Sequence, residues 1–275
     1  MSGTGGLMLV RGVGDVASAI AHRWFGLGRA VAIACEAQPA LPRRAMAFVD
    51  AVFDGSAALE GVRAERVGSL LDARALLSHR AAVPVWPAPS LSLAELCAGL
   101  SPAVLVDARL RKRDAPERLR GLAPLTIGLG PGFVAGEHAD LAVETSWDDL
   151  GRILRAGATR ALNGAPRAIA GLSRERVVYA PRAGILHAVR ALGEVVAAGD
   201  VVATLDDAPV AAPVAGLLRG LTRDGVTVHA GAKIVEIDPR GETGAWRGIG
   251  ERPRILAEAV TRAAEESLAS RQATP

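Results

Sequence analysis

The chain has 275 residues, half of them hydrophobic, which is enough to bury a core for one large or two modest domains. Its formal net charge of +3 is spread along the chain, and no basic stripe interleaved with aromatic residues is present, so the composition argues against nucleic-acid binding. No apolar run is long enough for a membrane span and the first residues do not resemble a signal peptide, so we expect a cytoplasmic protein. Cys35 and Cys97 are isolated, which argues against a disulfide framework or a zinc site, and no metal is predicted.

The first half of the chain alternates apolar runs with helical patterns, which is typical of βαβ units and a mostly parallel sheet. The predicted strands are listed in chain order: 7–11, 30–35, 47–53, 83–86, 103–106, 125–129 and 141–144. The predicted helices are 15–27, 69–79, 92–99 and 148–156, with a last helix over 255–268. We therefore predict an α/β chain with a Rossmann-like, nucleotide- or cofactor-binding domain over residues 1–172.

After residue 172, short Val-rich runs separated by Gly, Pro and Asp indicate an all-β segment. Ala180-Pro181-x-x-Gly184 recurs 32 positions later as Ala212-Pro213-x-x-Gly216, and the same shift relates four further pairs, listed as Gly193 and Gly225, Val196 and Val228, Gly199 and Gly231, and Asp206 and Asp238. Such a duplication resembles lipoyl/biotinyl-like all-β barrel-sandwich modules, and we assign it to residues 173–240. Asp207 stands where a carrier would have its lysine, so no carrier function is expected. Residues 241–275 are predicted to be a tail with a helix.

A glycine loop follows the first predicted strand. Gly12, Gly14 and Ala17 form a Gly-x-Gly-x-x-Ala pattern at a helix start, where backbone N–H groups and the helix dipole favour a phosphate. Glu36 ends the second strand, where an acidic residue binds ribose hydroxyls. Asp15 places a negative charge beside that phosphate position. The structural alternative is a glycine turn that packs a helix closely onto the sheet.

Further candidates for ligand binding lie in other loops. Arg43 and Arg44 follow Glu36 and carry charge for a phosphate or an acidic ligand. The remaining candidates are predicted to lie at strand ends: Asp107, Lys112, Gly128, Gly130, Pro131, Gly132, Phe133, Glu144 and Thr145. The glycine-rich run among them predicts an anion-binding nest or, alternatively, a tight structural loop. The histidines have no metal-ligand spacing.

Several motifs together resemble a known family. They are Asp107-Ala108, Lys112-Arg113, Gly-Leu-Gly-Pro-Gly-Phe at 128–133, Val-Glu-Thr at 143–145, and Asp238-Pro239-Arg240. These resemble the accessory proteins of selenium-dependent molybdenum hydroxylase systems, a family distantly related to xanthine dehydrogenase and carbon monoxide dehydrogenase maturation factors. The resemblance implies a maturation factor that handles a nucleotide or a molybdopterin-type cofactor for a molybdenum hydroxylase client. Ser146-Trp147-Asp148-Asp149 replaces an Arg-Gly-His element of that family, which puts selenium dependence in doubt.

Three functions remain open from the sequence: that maturation factor, an NAD(P)-dependent oxidoreductase, and a non-enzymatic assembly scaffold. The expected ligand is a nucleotide or dinucleotide, with molybdopterin dinucleotide and NAD(P) as candidates. A homo-oligomer is possible. Whether the chain catalyses a reaction is left undecided.

Overall fold

The computed structural model describes residues 6–87, 91–111, 114–161 and 166–272. Its helices are α1 (Asp15–Gly26), α2 (Ala51–Asp54), α3 (Leu70–His79), α4 (Leu93–Leu100) and α5 (Glu251–Gln272). The strands of the first part are β1 (Met8–Arg11), β2 (Val31–Cys35), β3 (Ser56–Leu59), β4 (Val62–Arg66), β5 (Val83–Pro87), β6 (Val104–Asp107), β7 (Leu125–Leu129), β8 (Val134–Ala135), β9 (Leu141–Val143), β10 (Ile153–Leu154) and β11 (Gly157–Ala158). Those of the second part are β12 (Val177–Tyr179), β13 (Gly184–Ala188), β14 (Val195–Val196), β15 (Val201–Leu205), β16 (Ala208–Ala211), β17 (Gly216–Leu221), β18 (Val226–Val228) and β19 (Lys233–Asp238).

Within these described ranges, nine strands form one large sheet in the order β10-β9-β7-β6-β1-β2-β5-β4-β3. The central pairs are parallel, whereas β3 with β4 and β9 with β10 are antiparallel, so the sheet is mixed. Alternate residues of the parallel strands face opposite sides of the sheet. Val10, Ile33 and Val106 pack with α1 and α5, whereas Leu9, Ala32 and Leu105 pack with α3 and α4.

The helix ends follow local capping chemistry. Ser69 precedes α3 and accepts a hydrogen bond from the Asp72 N–H, and Ser92 forms a capping box with Glu95 at the start of α4. Such caps satisfy N–H groups that have no partner within the helix. The helices predicted over 69–79 and 92–99 start at these two serines, so their predicted starts agree with the structure to within one residue.

The second part contains two separate four-stranded antiparallel sheets, β12-β19-β17-β14 and β16-β15-β13-β18. The duplicated segments exchange strands: β13 pairs with β18, and β17 pairs with β14. The repeated glycines lie against the repeated aspartates, since a Cβ on Gly184 would meet the Asp206 carboxylate and a Cβ on Gly216 would meet the Asp238 backbone. Buried residues of both sheets, among them Leu186 and Ile234, form one core.

These findings correct the predicted fold class. The first part is a mixed nine-stranded sheet, with an antiparallel strand at each of its edges, rather than a Rossmann-like domain. The second part is a pair of antiparallel sheets rather than a lipoyl/biotinyl-like barrel-sandwich. The C-terminal helix α5 packs against α1 and contributes Leu256, Val260 and Ala263 to the core of the large sheet.

Two predicted elements are wrong. Residues 47–53 form no strand; Ala47, Phe48 and Val49 are buried under the sheet, and α2 begins at Ala51. Their apolar character therefore reports burial rather than strand pairing. Residues 148–156 form no helix but a 3-10 turn followed by β10, where Gly151 with φ of +80° interrupts helical geometry. Among the described residues, no helix is long and apolar enough to cross a membrane.

Candidate site at the carboxyl edge of the large sheet

The structure brings the candidate loops together at one edge of the sheet. Strands β1, β6, β7 and β9 run parallel, so the loops that follow them share the carboxyl edge, where ligands of open α/β sheets bind. A Cβ on Gly12 would lie 3.3 Å from the backbone of Ala108 and Arg109, and one on Gly130 would approach Leu110 and the Thr145 hydroxyl. The loops after β1, β6, β7 and β9 are thus direct neighbours.

The glycine loop adopts the backbone that its composition predicts. Gly12 has φ of +103°, a conformation that favours glycine, and Gly14 precedes the first residue of α1. The Asp15 carboxylate accepts a hydrogen bond from the Val16 N–H at 2.9 Å. Ala17 is fully buried against the sheet. The acidic group therefore occupies part of the anion-binding end of α1, as its position in the sequence suggests.

Asp107 is the centre of an internal ion network. It lies at the end of β6, is buried, and pairs with Arg11 at 3.0 Å and with Arg109. Both arginines also hold Glu117, at 2.9 and 3.0 Å. Burial alone would raise the pKa of Glu117, but these two guanidinium groups lower it to about 2. The Asp107 carboxylate is therefore paired with two arginines of the protein itself.

The Gly128–Phe133 loop and its neighbours are tightly built. A side chain at Gly128 would overlap the ring of Phe133, and Gly130 and Gly132 both have positive φ. Pro131 lies between them, and the Thr159 hydroxyl donates to the Gly130 carbonyl. These contacts fit the alternative of a structural loop as well as that of an anion nest.

Glu144 and Thr145 have different surroundings. The Glu144 carboxylate is buried and accepts backbone N–H groups of Thr145, Ser146 and Arg160, at 2.6, 2.7 and 2.7 Å. The Thr145 hydroxyl is buried without a hydrogen-bond partner among the described residues. The backbone carbonyl of Thr145 accepts two hydrogen bonds from Arg252 of α5, at 3.2 and 3.0 Å. The buried Thr145 hydroxyl therefore has a hydrogen-bonding capacity that no described residue uses.

The other predicted residues lie around this edge or outside the described residues. Glu36 is exposed just beyond β2; burial, with a smaller contribution from the Glu36 charge, raises the pKa of the Cys35 thiol to about 12. Arg44 pairs with Asp50 at 3.0 Å and donates to the Leu221 carbonyl. Lys112 lies outside the described residues.

Arg43 joins the glycine loop to the second part of the chain. Its guanidinium group binds Asp15 at 2.9 Å and Glu236 of β19 at 2.8 Å through two nitrogens. Glu236 also accepts from the buried Arg176 at 2.6 Å and from Lys233. Burial alone would raise the pKa of Glu236, but Arg43 and Lys233 hold it well below its ordinary value. We call Asp15, Arg43, Arg176, Arg219, Lys233, Glu236 and Asp238 the junction cluster.

Three cations at or beside the junction cluster have lowered pKa values, and burial is the main cause of each. Burial lowers the pKa of Lys233 to about 8, where Glu236 opposes the shift and Arg43 adds to it. Burial and the charge of Arg43 lower the pKa of Arg219, whose Nε is buried without a hydrogen-bond partner among the described residues. Burial also lowers the pKa of Arg252, with Asp15 opposing and Arg43 adding to the shift. The junction cluster holds four cations and three carboxylates, and Arg252 adds a fifth cation, so positive charge is in excess here.

Sequence reasoning selected Arg43 and Asp15 but missed their partners. Glu236, Lys233, Arg176, Arg219 and Arg252 were not proposed. One signal was present: Glu236 lies inside the apolar run Ile234–Ile237, and a carboxylate at a buried strand position needs cationic partners. Among the described residues, no group of three or more His, Cys, Asp or Glu side chains is placed to hold a metal ion.

No family model matches the chain. Over 260 residues, 94% of this chain, the sequence is 38% identical to a protein of Escherichia coli (strain K12) described as Uncharacterized protein YqeB. The chain spans about half of that relative, 47% of its length. Among solved structures, a succinylglutamate desuccinylase from Silicibacter sp. TM1040 matches at 12% identity and a TM-score of 0.26, with 86% of this chain and 85% of that chain covered. An aspartoacylase family protein from Mesorhizobium loti matches at 11% identity and a TM-score of 0.26, with 85% of each chain covered.

These comparisons contradict the predicted membership in the molybdenum hydroxylase accessory family. None of the three proteins is described as such an accessory protein. The short motifs at 107–108, 128–133 and 143–145 are positions where glycine geometry and ion pairing constrain the sequence, so they report local structure. The predicted maturation role, the oxidoreductase alternative and the assembly-scaffold alternative are corrected with it.

Proposed function

We propose that this chain binds a phosphate-bearing anion, of the nucleotide class, at the carboxyl edge of its large sheet. The observation that carries the proposal is the excess of positive charge beside the glycine loop: the junction cluster holds four cations and three carboxylates, Arg252 adds a fifth cation, and the Nε of Arg219 is buried without a hydrogen-bond partner among the described residues. An anion bound among them supplies the missing negative charge. The glycine loop offers backbone N–H groups at the start of α1 for the same ligand.

The parts of the proposed site have distinct roles. Gly12 and Gly14 allow close approach to the start of α1, and Arg252 supplies charge from α5. The Thr145 hydroxyl supplies a hydrogen bond that no described residue uses. Glu36, exposed at the end of β2, is placed for ribose hydroxyls. A cytoplasmic location, a homo-oligomer and the absence of a nucleic-acid partner stay predictions.

Calorimetric titration with inorganic phosphate, ATP, NAD and NADP tests this proposal. We expect at least one of them to bind, and we expect Arg252→Met to weaken its affinity about tenfold, which corresponds to about 1.4 kcal/mol. Arg254→Met is the matched control, because Arg254 lies two residues further along α5 and pairs with Glu60 instead. Absence of binding by all four ligands, or equal losses in the two variants, contradicts the proposal.

A further inference from the structure

A solvent-open groove lies between α1 and α5. Its volume is about 240 Å³. One face of α1 forms its first wall, with residues at the helical spacing of three and four, and residues between 249 and 257 form the second. None of the residues that line it belongs to the junction cluster or to the proposed anion site. The groove is therefore a separate cavity that the proposed function does not use.

The groove has room because α1 ends in a glycine. A Cβ on Gly26 would meet no described atom within 4 Å beyond its own turn of the helix, so a larger side chain there would extend into the open space. The half-exposed Leu27, together with Ile249 and Ala257, makes the walls apolar. A cavity of about 150 Å³ holds a benzene ring, so in proportion this groove suits a molecule of about ten non-hydrogen atoms.

The ionisable side chains that line the groove, as far as the structure describes it, are all basic: His22, Arg23 and Arg254. Arg254 is occupied, because it donates to both carboxylate oxygens of Glu60, at 3.2 and 3.3 Å. Arg23 is available, because its side chain makes no hydrogen bond to a described residue. Its one ion pair, with the half-exposed Glu258 of α5, is 3.7 Å long. This pair places the Arg23 guanidinium group between the two helices that form the groove.

We propose that this groove binds a small amphipathic carboxylate, one with a single ring or a short hydrocarbon chain. The apolar body lies against Leu27, Ile249 and Ala257, and Arg23 holds the carboxylate with its unused donors. One available guanidinium group matches one carboxylate better than a phosphate with nearly two charges. The last carbonyls of α1 already accept backbone N–H groups of residues 27–29, so they do not face the ligand without partners.

Fluorine NMR of 4-fluorobenzoate tests the inference, because this carboxylate has the size that the groove suits. 4-Fluorobenzyl alcohol is the neutral comparison with the same ring. We expect the parent chain to broaden the fluorobenzoate signal saturably and to bind the alcohol about tenfold more weakly. Arg23→Gln should weaken fluorobenzoate binding about tenfold and leave binding of the alcohol unchanged. Gly26→Leu should abolish binding of both, since its side chain fills the groove.

Three controls separate the outcomes. Arg262→Gln is matched to Arg23→Gln, because Arg262 is exposed on α5 and does not line the groove. Gly26→Leu should unfold in urea at or above the midpoint of the parent chain, because Gly26 is helical and its side-chain space is open. Arg252→Met should bind fluorobenzoate like the parent chain, so failure of the proposed anion site leaves this inference standing.

Four results overturn the inference. They are the absence of saturable broadening, equal binding of fluorobenzoate and the alcohol, equal losses in Arg23→Gln and Arg262→Gln, and unchanged binding by a folded Gly26→Leu variant. Loss of fluorobenzoate binding in Arg252→Met also overturns it, because the carboxylate then occupies the anion site instead of the groove.

Discussion

At the residue scale, the positive charge of Lys233 lowers the stability of the folded chain. Its pKa is about 8 in the folded chain, against 10.5 as the ordinary value. Burial is the main cause of this lowered pKa, the charges of Arg43 and Arg176 add to it, and Glu236 on the same strand opposes it. Between the two pKa values the unfolded chain binds more protons than the folded chain. Stability from this group therefore rises with pH in that window and is lost as pH falls through 8.

We expect the free energy of unfolding to rise by about 1 kcal/mol between pH 7 and pH 9 because of Lys233. Urea unfolding of the parent chain and of Lys233→Met at both pH values measures this, because only the parent should show the rise. The Cys35 thiol, with its pKa raised to about 12, opposes the rise above pH 9, where the unfolded thiol ionises first. That effect is common to both chains and cancels in the comparison. Parallel pH dependences in the two chains would refute the assignment.

At the element scale, α5 completes the core of the large sheet. It contributes the fully buried Leu256, Val260 and Ala263, and its alanines allow close packing on α1. Gly151 approaches the same helix, since a Cβ there would lie 3.2 Å from the Ile255 side chain. A helix at the end of the chain is therefore part of the first core rather than an appendage to the second part.

We expect Leu256→Ala to lower the free energy of unfolding by about 3 kcal/mol, because it leaves a cavity between α5 and the sheet. Leu268→Ala is the matched control on the same helix, at a partly buried position, and should cost about 1 kcal/mol. Urea unfolding of both variants measures the difference. A similar loss in the two variants would mean that α5 packs uniformly along its length, contrary to the structure.

Local patterns predict some of these elements and miss others for physical reasons. The predicted helix over 69–79 and α3 agree to within one residue because a serine cap and an apolar face mark that helix in the sequence itself. The segment 47–53 is equally apolar, but its burial comes from packing under the sheet and not from strand pairing. The β3–β4 hairpin was missed because its apolar residues are few, and the sheet recruits it through the parallel pairing of β4 with β5. Strand pairing between segments that are distant in sequence produces no hydrophobic periodicity in segments as short as these.

The candidate site likewise depends on contacts between residues that are far apart in the sequence, which local patterns do not predict. The glycine loop is a local motif, so Gly12 and Gly14 can be selected from the sequence. Arg43 and Glu236 stand 193 positions apart and meet only because the loop after β2 packs against β17 and β19. No local pattern encodes that meeting. A buried charge in an apolar strand, such as Glu236, is the signal that points to it.

At the scale of the whole molecule, polar contacts tie the two parts of the chain together. Arg43 links Asp15 to Glu236, Arg44 donates to the Leu221 carbonyl, and Arg223 pairs with Asp54 at 2.5 Å. Each part has a separate hydrophobic core. The cooperativity of unfolding between the two parts therefore depends on these ion pairs more than on shared apolar packing.

We expect Arg43→Met to separate the unfolding of the two parts into two calorimetric transitions, because it removes the ties to Asp15 and Glu236 at once. Glu236 keeps Arg176 and Lys233, so the second part should still fold. Arg182→Met is the matched control, since Arg182 pairs with Asp206 and its hydrogen bonds to the described residues all lie within the second part. The control should retain the transition shape of the parent chain. If Arg43→Met also retains it, with no larger loss of stability than the control, the coupling between the two parts runs through other contacts, and the hydrogen bond from the Leu221 N–H to the Pro42 carbonyl is the first to test.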